Sequence, residues 1–351
     1  MRNRTVTLAL QGGGSHGAFT WGVLDRLLED ERISIEGISG ASAGAMNAVA
    51  LAHGFVVGGR EGARQALADF WESVAGKAPF AQIPEDLPTL VADGSPTHGS
   101  PALKALVSLA RFFSPYQLNP FDINPLRDIV ASRIDFERLR AESRIKLFIA
   151  ATEVETGRLR IFRNRELSLD ALLASACVPT LHKAIEIEGQ AYWDGGLSAN
   201  PPLFPLIHQC AARDVMVVLL HPSRRPDVPT TADGIWQRLT EISFASTLFT
   251  ELHGIALAKR EAERGLFAVG RLERKLRSLN LHLIENEELM AQLSAHSRLN
   301  VHPSFIHALR DHGRSRAEQW LKRKFQFIGA RSSFRLGRFL PPRLPGMRPA
   351  R

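Results

Sequence analysis

Twice in its first fifty residues the chain passes from an apolar run, through a turn of small residues, into an amphipathic stretch. No other feature constrains the fold as much. Thr5 to Leu10 reads as a buried strand, and Gly12-Gly13-Gly14-Ser15-His16-Gly17 follows at once. Ala18 to Glu31 then places Val23, Leu24, Leu27 and Leu28 on one helical face. Ile33 to Ile38 is a second short strand, running into Gly40-Ala41-Ser42-Ala43-Gly44 and a small-residue helix to about His53. Strand, turn and helix repeated in this way specify an α/β fold, a mainly parallel sheet flanked by helices.

Eight prolines from Pro79 to Pro125 interrupt the pattern. Within this stretch only Ala102 to Phe113 reads as helical, so it is expected to be a lid-like insertion over the sheet. Alternation then resumes. Arg144 to Thr152 and Arg158 to Phe162 read as strands, and Ser168 to Cys177 as a helix. Ile185 to Ile187 and Ala191 to Trp193 form a hairpin around Glu188-Gly189. Leu203 to Ala212 reads as helix, and Val215 to Leu220 as a buried strand. Ile235 to Phe327 is mostly helical, with a candidate strand at Leu279 to Ile284. One α/β domain over 1–330, with the insertion at about 79–125, and a disordered tail over 331–351 are the expected organisation.

Composition narrows the function classes. Of 351 residues, 44% are hydrophobic and 23% charged, which fits a globular protein and excludes a collagen or coiled coil. The net charge of +8 is unevenly placed. From Arg310 onward, twelve Lys/Arg face only Asp311 and Glu318, a local net of +10, which leaves the rest at −2. A near-neutral body argues against a nucleic-acid-binding face. The basic tail suits contact with an anionic surface such as a membrane. Cys177 and Cys210 make no disulfide framework, and no Cys/His spacing suggests zinc, so neither metal nor cofactor is expected. The apolar run after Met1-Arg2-Asn3-Arg4 is shorter than a signal-peptide core, and no stretch approaches the ~20 apolar residues of a spanning helix. The expected location is therefore cytoplasmic, with peripheral membrane contact through the insertion or the tail left open.

Three elements carry chemistry. Gly40-Ala41-Ser42-Ala43-Gly44 has the G-x-S-x-G form between a strand and a helix, the setting of a nucleophile elbow. Ser42 would stand at a helix N-terminus, where amides and the dipole favour a developing anion. Gly12, Gly13 and Gly14 let backbone N–H groups converge on an anion, as an oxyanion hole would require. Gly12, Gly14 and Gly17 also satisfy G-x-G-x-x-G, so a nucleotide-binding loop competes with this reading. The second strand, however, ends in the serine turn rather than in the acidic residue that a dinucleotide site needs. Asp194, before Gly195-Gly196, could take a proton from Ser42 or could be only an Asp-Gly turn residue.

These pieces, with Leu8-Ala9-Leu10-Gln11 before the glycines, occur in one order with three others. They are Ala150-Ala151-Thr152-Glu153 with Thr156-Gly157, Ala174-Ser175-Ala176-Cys177-Val178-Pro179, and Asn200-Pro201 after Asp194-Gly195-Gly196. Over roughly residues 5 to 220 the sequence resembles the patatin-like phospholipase family. The resemblance implies a three-layer sandwich and a lipid acyl hydrolase with a Ser-Asp dyad and no catalytic histidine. Ser42 would be the nucleophile and Asp194 the general base. The amides of Gly12, Gly13, Gly14 and Ala43 would form the oxyanion hole. The substrate would be a lipid or other acyl ester. One departure is His16, where the family usually has arginine; an imidazole with an ordinary pKa near 6.5 is mostly neutral at pH 7.

Two alternatives remain at this stage. A conventional Ser-His-Asp esterase would need one of the histidines after Asp194, from His208 to His312, none of which lies in a persuasive motif. A non-enzymatic lipid-binding protein could keep the fold, although Ser42 and Asp194 are both present.

Overall fold

The two opening units fold as the sequence indicates. The computed structural model describes residues 3–77, 112–225, 228–265, 270–293, 296–334 and 336–339. In it β1 (Arg4–Leu10) leads through a 3₁₀ turn (Gly14–His16) into α1 (Gly17–Glu29), and β2 (Ile33–Gly40) leads into α2 (Ala43–Lys77). Helix α2 runs well past the expected end near His53. It does so by bending at Gly58 and Gly59, where the backbone leaves the helical region. Beyond the bend, Ala63, Leu67, Phe70 and Trp71 return to the core.

Six further strands complete the sheet: β3 (Lys146–Glu153), β4 (Leu159–Arg163), β5 (Ile185–Ile187), β6 (Gln190–Asp194), β7 (Asp214–Val218) and β8 (Asn280–Ile284). Their order is β5-β6-β3-β2-β1-β7-β8, with β4 paired to β3. Strands β3, β2, β1, β7 and β8 are mutually parallel, and the β3–β4, β3–β6 and β5–β6 pairs are antiparallel. Glu188 and Gly189, both at positive φ, close the β5–β6 hairpin.

One exchange on β3 brings the ends of distant strands together. Along one edge β3 pairs with β4 from Phe148 to Thr152. Along the other it pairs first with β2, ending at Gly40 opposite Ile149. Then β6 takes over, with Asp194 opposite Ala151. The chain after Gly40 and the end of β6 therefore meet at the same edge, two residues apart on β3.

Both sheet faces are covered. Met216 and Val218 pack with α1, α2 and the short helix α3 (Leu169–Ser175). Val215 and Val217 pack with the first residues of a short helix (Phe204–Gln209) and with α4 (Ala232–Arg264). The alternation is that of strands buried on both sides. Helix α5 (Pro303–Lys324) crosses α1 in backbone contact: a Cβ at Gly22 would strike the Arg310 carbonyl, and one at Gly313 the Phe19 carbonyl. Among the described residues no helix is long and apolar enough to cross a membrane.

Most of the insertion, including nearly all of the helix expected at Ala102 to Phe113, lies outside the described residues. Its last part is a loop with one helical turn, Pro115–Leu118. At the other end the fold continues past Arg331, where disorder was expected. The Ser333 N–H donates to the Leu281 carbonyl at 3.0 Å, and Phe334 and Leu336 pack on the α4 side of the sheet. With the Leu281 N–H donating to Ser332 Oγ at 3.0 Å, two hydrogen bonds to the edge strand and apolar contacts outweigh a composition rich in Gly and Arg. Residues 340–351 lie outside the described residues.

Candidate active site

Ser42 stands two residues past the end of β2, at φ 54°, in the left-handed region where a side chain is strained. Close packing holds it there. A Cβ on Gly40 would lie 2.6 Å from the Gly44 carbonyl carbon, and one on Gly44 would strike the Leu10 carbonyl. Only glycine fits at either end of the turn, which is the physical content of G-x-S-x-G here. The Ser42 N–H donates to the Ser175 carbonyl at 3.0 Å and to its Oγ at 3.1 Å. The Ser42 carbonyl accepts from Met46 and so starts α2. Ser42 is 8% exposed, with its side chain at the head of a long helix.

Asp194 ends β6 and is fully buried. Its N–H donates to the Cys177 carbonyl at 2.8 Å, and its carbonyl accepts from Thr152 Oγ1 at 2.8 Å, so the backbone is pinned from two sides. Oδ1 accepts from the Gly196 N–H at 2.7 Å. Oδ2 has no aligned hydrogen-bond partner among the described residues. Burial pushes the carboxyl up to about 7, while the Gly196 amide and the nearby Ser42 hydroxyl oppose the rise. The structure thus brings Ser42 and Asp194 together from opposite halves of the matched motifs.

The glycine loop lies against them. A Cβ on Gly12 would sit 2.6 Å from the Ala41 carbonyl oxygen and 2.7 Å from Ser42 Cβ. Gly12 was expected to donate to an oxyanion, but its N–H is already given to Asn200 Oδ1 at 2.6 Å. That corrects its role: Gly12 permits close approach, and Asn200 holds the loop. Asn200 Nδ2 in turn donates to the Phe244 carbonyl of α4 at 3.0 Å. The amides of Gly13, Gly14 and Ala43 are not engaged by any other described group. Gln11 fixes the loop from behind, its Oε1 accepting from the Leu220 and His221 N–H groups at 2.8 and 3.0 Å.

Gly14, at φ 59°, packs so closely on the Arg298 carbonyl that a Cβ would collide with it. His16 is buried, with Nε2 at 2.8 Å from Ser297 Oγ. Burial first, then the Arg298 and Arg225 charges, drive its pKa well below the usual value, so it is neutral. Arg298 is held near Glu241 (3.7 Å), which also pairs with Arg225 at 2.7 Å. Sequence reasoning missed Arg298, Glu241 and the role of Asn200. For Asn200 the signal was its position in the Asp194 motif; for the others there was none. Of the histidines after Asp194, His221 is buried behind the glycine loop with neither ring nitrogen hydrogen-bonded among the described residues, and three others serve elsewhere. His282 pairs with Asp214 at the far end of β7, His307 with Glu72, and His302 caps α5.

A family model described as patatin-like phospholipase matches residues 8–207. The chain belongs to the patatin-like phospholipase family. It is also 26% identical over 235 residues to a cGAMP-activated phospholipase of Vibrio cholerae, covering 60% of this chain and 58% of that relative's length. The solved structures similar to this family member include VipD from Legionella pneumophila. That match has a TM-score of 0.42 at 15% identity, over 90% of this chain and 66% of the other. Another is ExoU in its complex with SpcU from Pseudomonas aeruginosa, with a TM-score of 0.31 at 16% identity, over 78% and 66%.

Proposed function

We propose that the protein hydrolyses acyl esters of lipids, in the manner of a phospholipase A, with Ser42 as nucleophile and Asp194 as its base. As Ser42 Oγ bonds to the ester carbonyl carbon, its proton passes to Asp194 Oδ2. The carbonyl oxygen becomes an oxyanion, and the Gly13, Gly14 and Ala43 amides are its donors; loss of one such donor typically costs about 2.7–4 kcal/mol. The C–O bond to the alcohol breaks, and Asp194 returns the proton to that leaving group. Water then gives a proton to the same carboxylate and attacks the acyl-serine; as the acyl–Oγ bond breaks, Asp194 returns that proton to Ser42 Oγ and the fatty acid is released.

The observation that carries this reading is the unpartnered Oδ2 of a fully buried carboxyl beside a serine held at positive φ. A base held near 7 is matched to work at neutral pH. His282, His302 and His307 are committed to Asp214, Ser304 and Glu72, which leaves the buried His221, with neither ring nitrogen hydrogen-bonded among the described residues, as the histidine that a Ser-His-Asp reading would have to use. The deciding experiment is a variant panel on a soluble short-chain ester. Asp194→Asn is expected to lower kcat by at least 10²-fold, while His221→Ala and every other His→Ala variant after residue 194 retain most activity. A histidine as essential as Ser42 would replace this mechanism with a triad.

A further inference from the structure

The first turns of α4 are built inside out. From Ile235 to Thr250 the only charged residues are Arg238 and Glu241. These turn to each other at 3.2 Å, and Glu241 is buried against Arg225. The side facing away from the protein carries Ile235, Trp236, Leu239 and Ile242, with Trp236 58% and Leu239 51% exposed. A surface helix ordinarily does the reverse, and contiguous exposed apolar surface marks a site of contact.

A second patch has the same character. Between Phe112 and Ile123 the only charge is Asp122, while Phe112 is 82% and Phe121 86% exposed and Tyr116 is also exposed. Both patches border the Asp194 turn. A Cβ on Gly196 would lie 2.5 Å from the Phe244 ring of α4. On the other side, Lys183 Nζ donates to the Pro120 carbonyl at 2.8 Å, and Lys183 belongs to the loop after Cys177, whose carbonyl holds the Asp194 N–H.

We infer that the apolar face of α4 and the aromatic segment 112–123 form one docking surface for the interfacial zone of a lipid bilayer. The inference rests on the proposed function. An occupant resting on both flanks also covers the approach to Ser42 and Asp194. A protein partner there would block the site, whereas a bilayer is itself the source of an acyl ester. Aromatic side chains among carbonyl and hydroxyl groups, with few charges, match the headgroup boundary, where Trp and Tyr concentrate. The contact is apolar rather than electrostatic, so it persists at high salt.

The test uses the full chain, phosphatidylcholine vesicles and two variants, Trp236→Ser/Leu239→Ser and Phe121→Ser. Co-sedimentation is expected to show at least tenfold weaker binding for each variant, wild-type binding that changes little with salt, and unchanged hydrolysis of a soluble short-chain ester. Brominated lipid should quench wild-type tryptophan fluorescence more than that of Trp236→Ser/Leu239→Ser, because Trp21, Trp71 and Trp320 are buried and Trp193 is half-buried. Wild-type protein that ignores these vesicles overturns the inference, as do variants that bind as well as wild type. Variants that turn a dimer into a monomer while vesicle binding is unchanged would assign the face to a second copy. Loss of short-ester hydrolysis would show that the face supports the site itself. Ser42→Ala separates the two claims: it should bind vesicles like wild type, and vesicle binding without any esterase activity in the wild type would refute only the hydrolase reading.

Discussion

Replacing Asp194 by asparagine should abolish turnover and yet raise stability above neutral pH. The carboxyl is fully buried and is held near 7 in the folded protein, against about 3.9 in an unfolded chain. Between these values the folded state keeps a proton that the unfolded state has released. Unfolding then liberates a proton, so wild-type stability falls by about 1.36 kcal/mol for each pH unit. Across the interval the loss reaches roughly 4 kcal/mol, complete once the pH exceeds about 7. Asparagine has no charge to form, and its side-chain oxygen can still accept from the Gly196 N–H. The difference in stability, variant minus wild type, should therefore be flat below pH 4, rise between pH 4 and 7, and level off above. Urea unfolding of both proteins at pH 5, 6, 7, 8 and 9 measures it. A difference that does not change with pH would refute the reasoning, because it would mean that Asp194 ionises normally in the folded state.

The same ionisation should appear in rate: kcat/KM for an uncharged soluble ester falls on the acid side with an apparent pKa near 7, as the base becomes protonated. Stopped assays from pH 5 to 9 check this, and an acid limb near 4 would contradict it. Gly14→Ala should cost at least about 1–2 kcal/mol from its φ of 59° alone, with further loss from the Arg298 carbonyl, and should inactivate the protein; thermal unfolding and ester hydrolysis report both. Removing residues 340–351 should leave short-ester hydrolysis unchanged but weaken binding to anionic vesicles, since Arg343, Arg348 and Arg351 go with them at roughly 1 kcal/mol each, screened by salt. Truncation at Arg331 should instead destabilise the protein, because it strips the Ser333–Leu281 hydrogen bond.

What was legible in the sequence was local. The βαβ opening shows in apolar runs broken by glycines, and the serine turn shows because Gly40 and Gly44 have no room for a side chain. The hairpin showed in Glu188-Gly189. What lay beyond reading depends on residues far apart in the chain. Nothing in the sequence says that β6 takes over from β2 on one edge of β3, yet that exchange is what sets Asp194 beside Ser42. The amide of Gly12 looked as free as its neighbours until Asn200, 188 positions on, was found to hold it. Helix α2, expected to end near His53, instead bends at Gly58 and Gly59, and buried Leu67 and Trp71 carry it on past the bend. The α4 face misleads for the opposite reason. Its apolar residues suggest a core, and only the inward pairing of Arg238 with Glu241 shows which side faces out.

The central claim is that Ser42 is an activated nucleophile poised beside free backbone amides. The most direct measurement is labelling with a fluorophosphonate probe, followed by peptide mass spectrometry. The account predicts a single phosphonylated residue, Ser42, with labelling lost in Ser42→Ala, slowed by at least about 10²-fold in Asp194→Asn, and slower at pH 5 than at pH 8. A label on another serine with Ser42 unmodified, or labelling that survives Ser42→Ala, would contradict it.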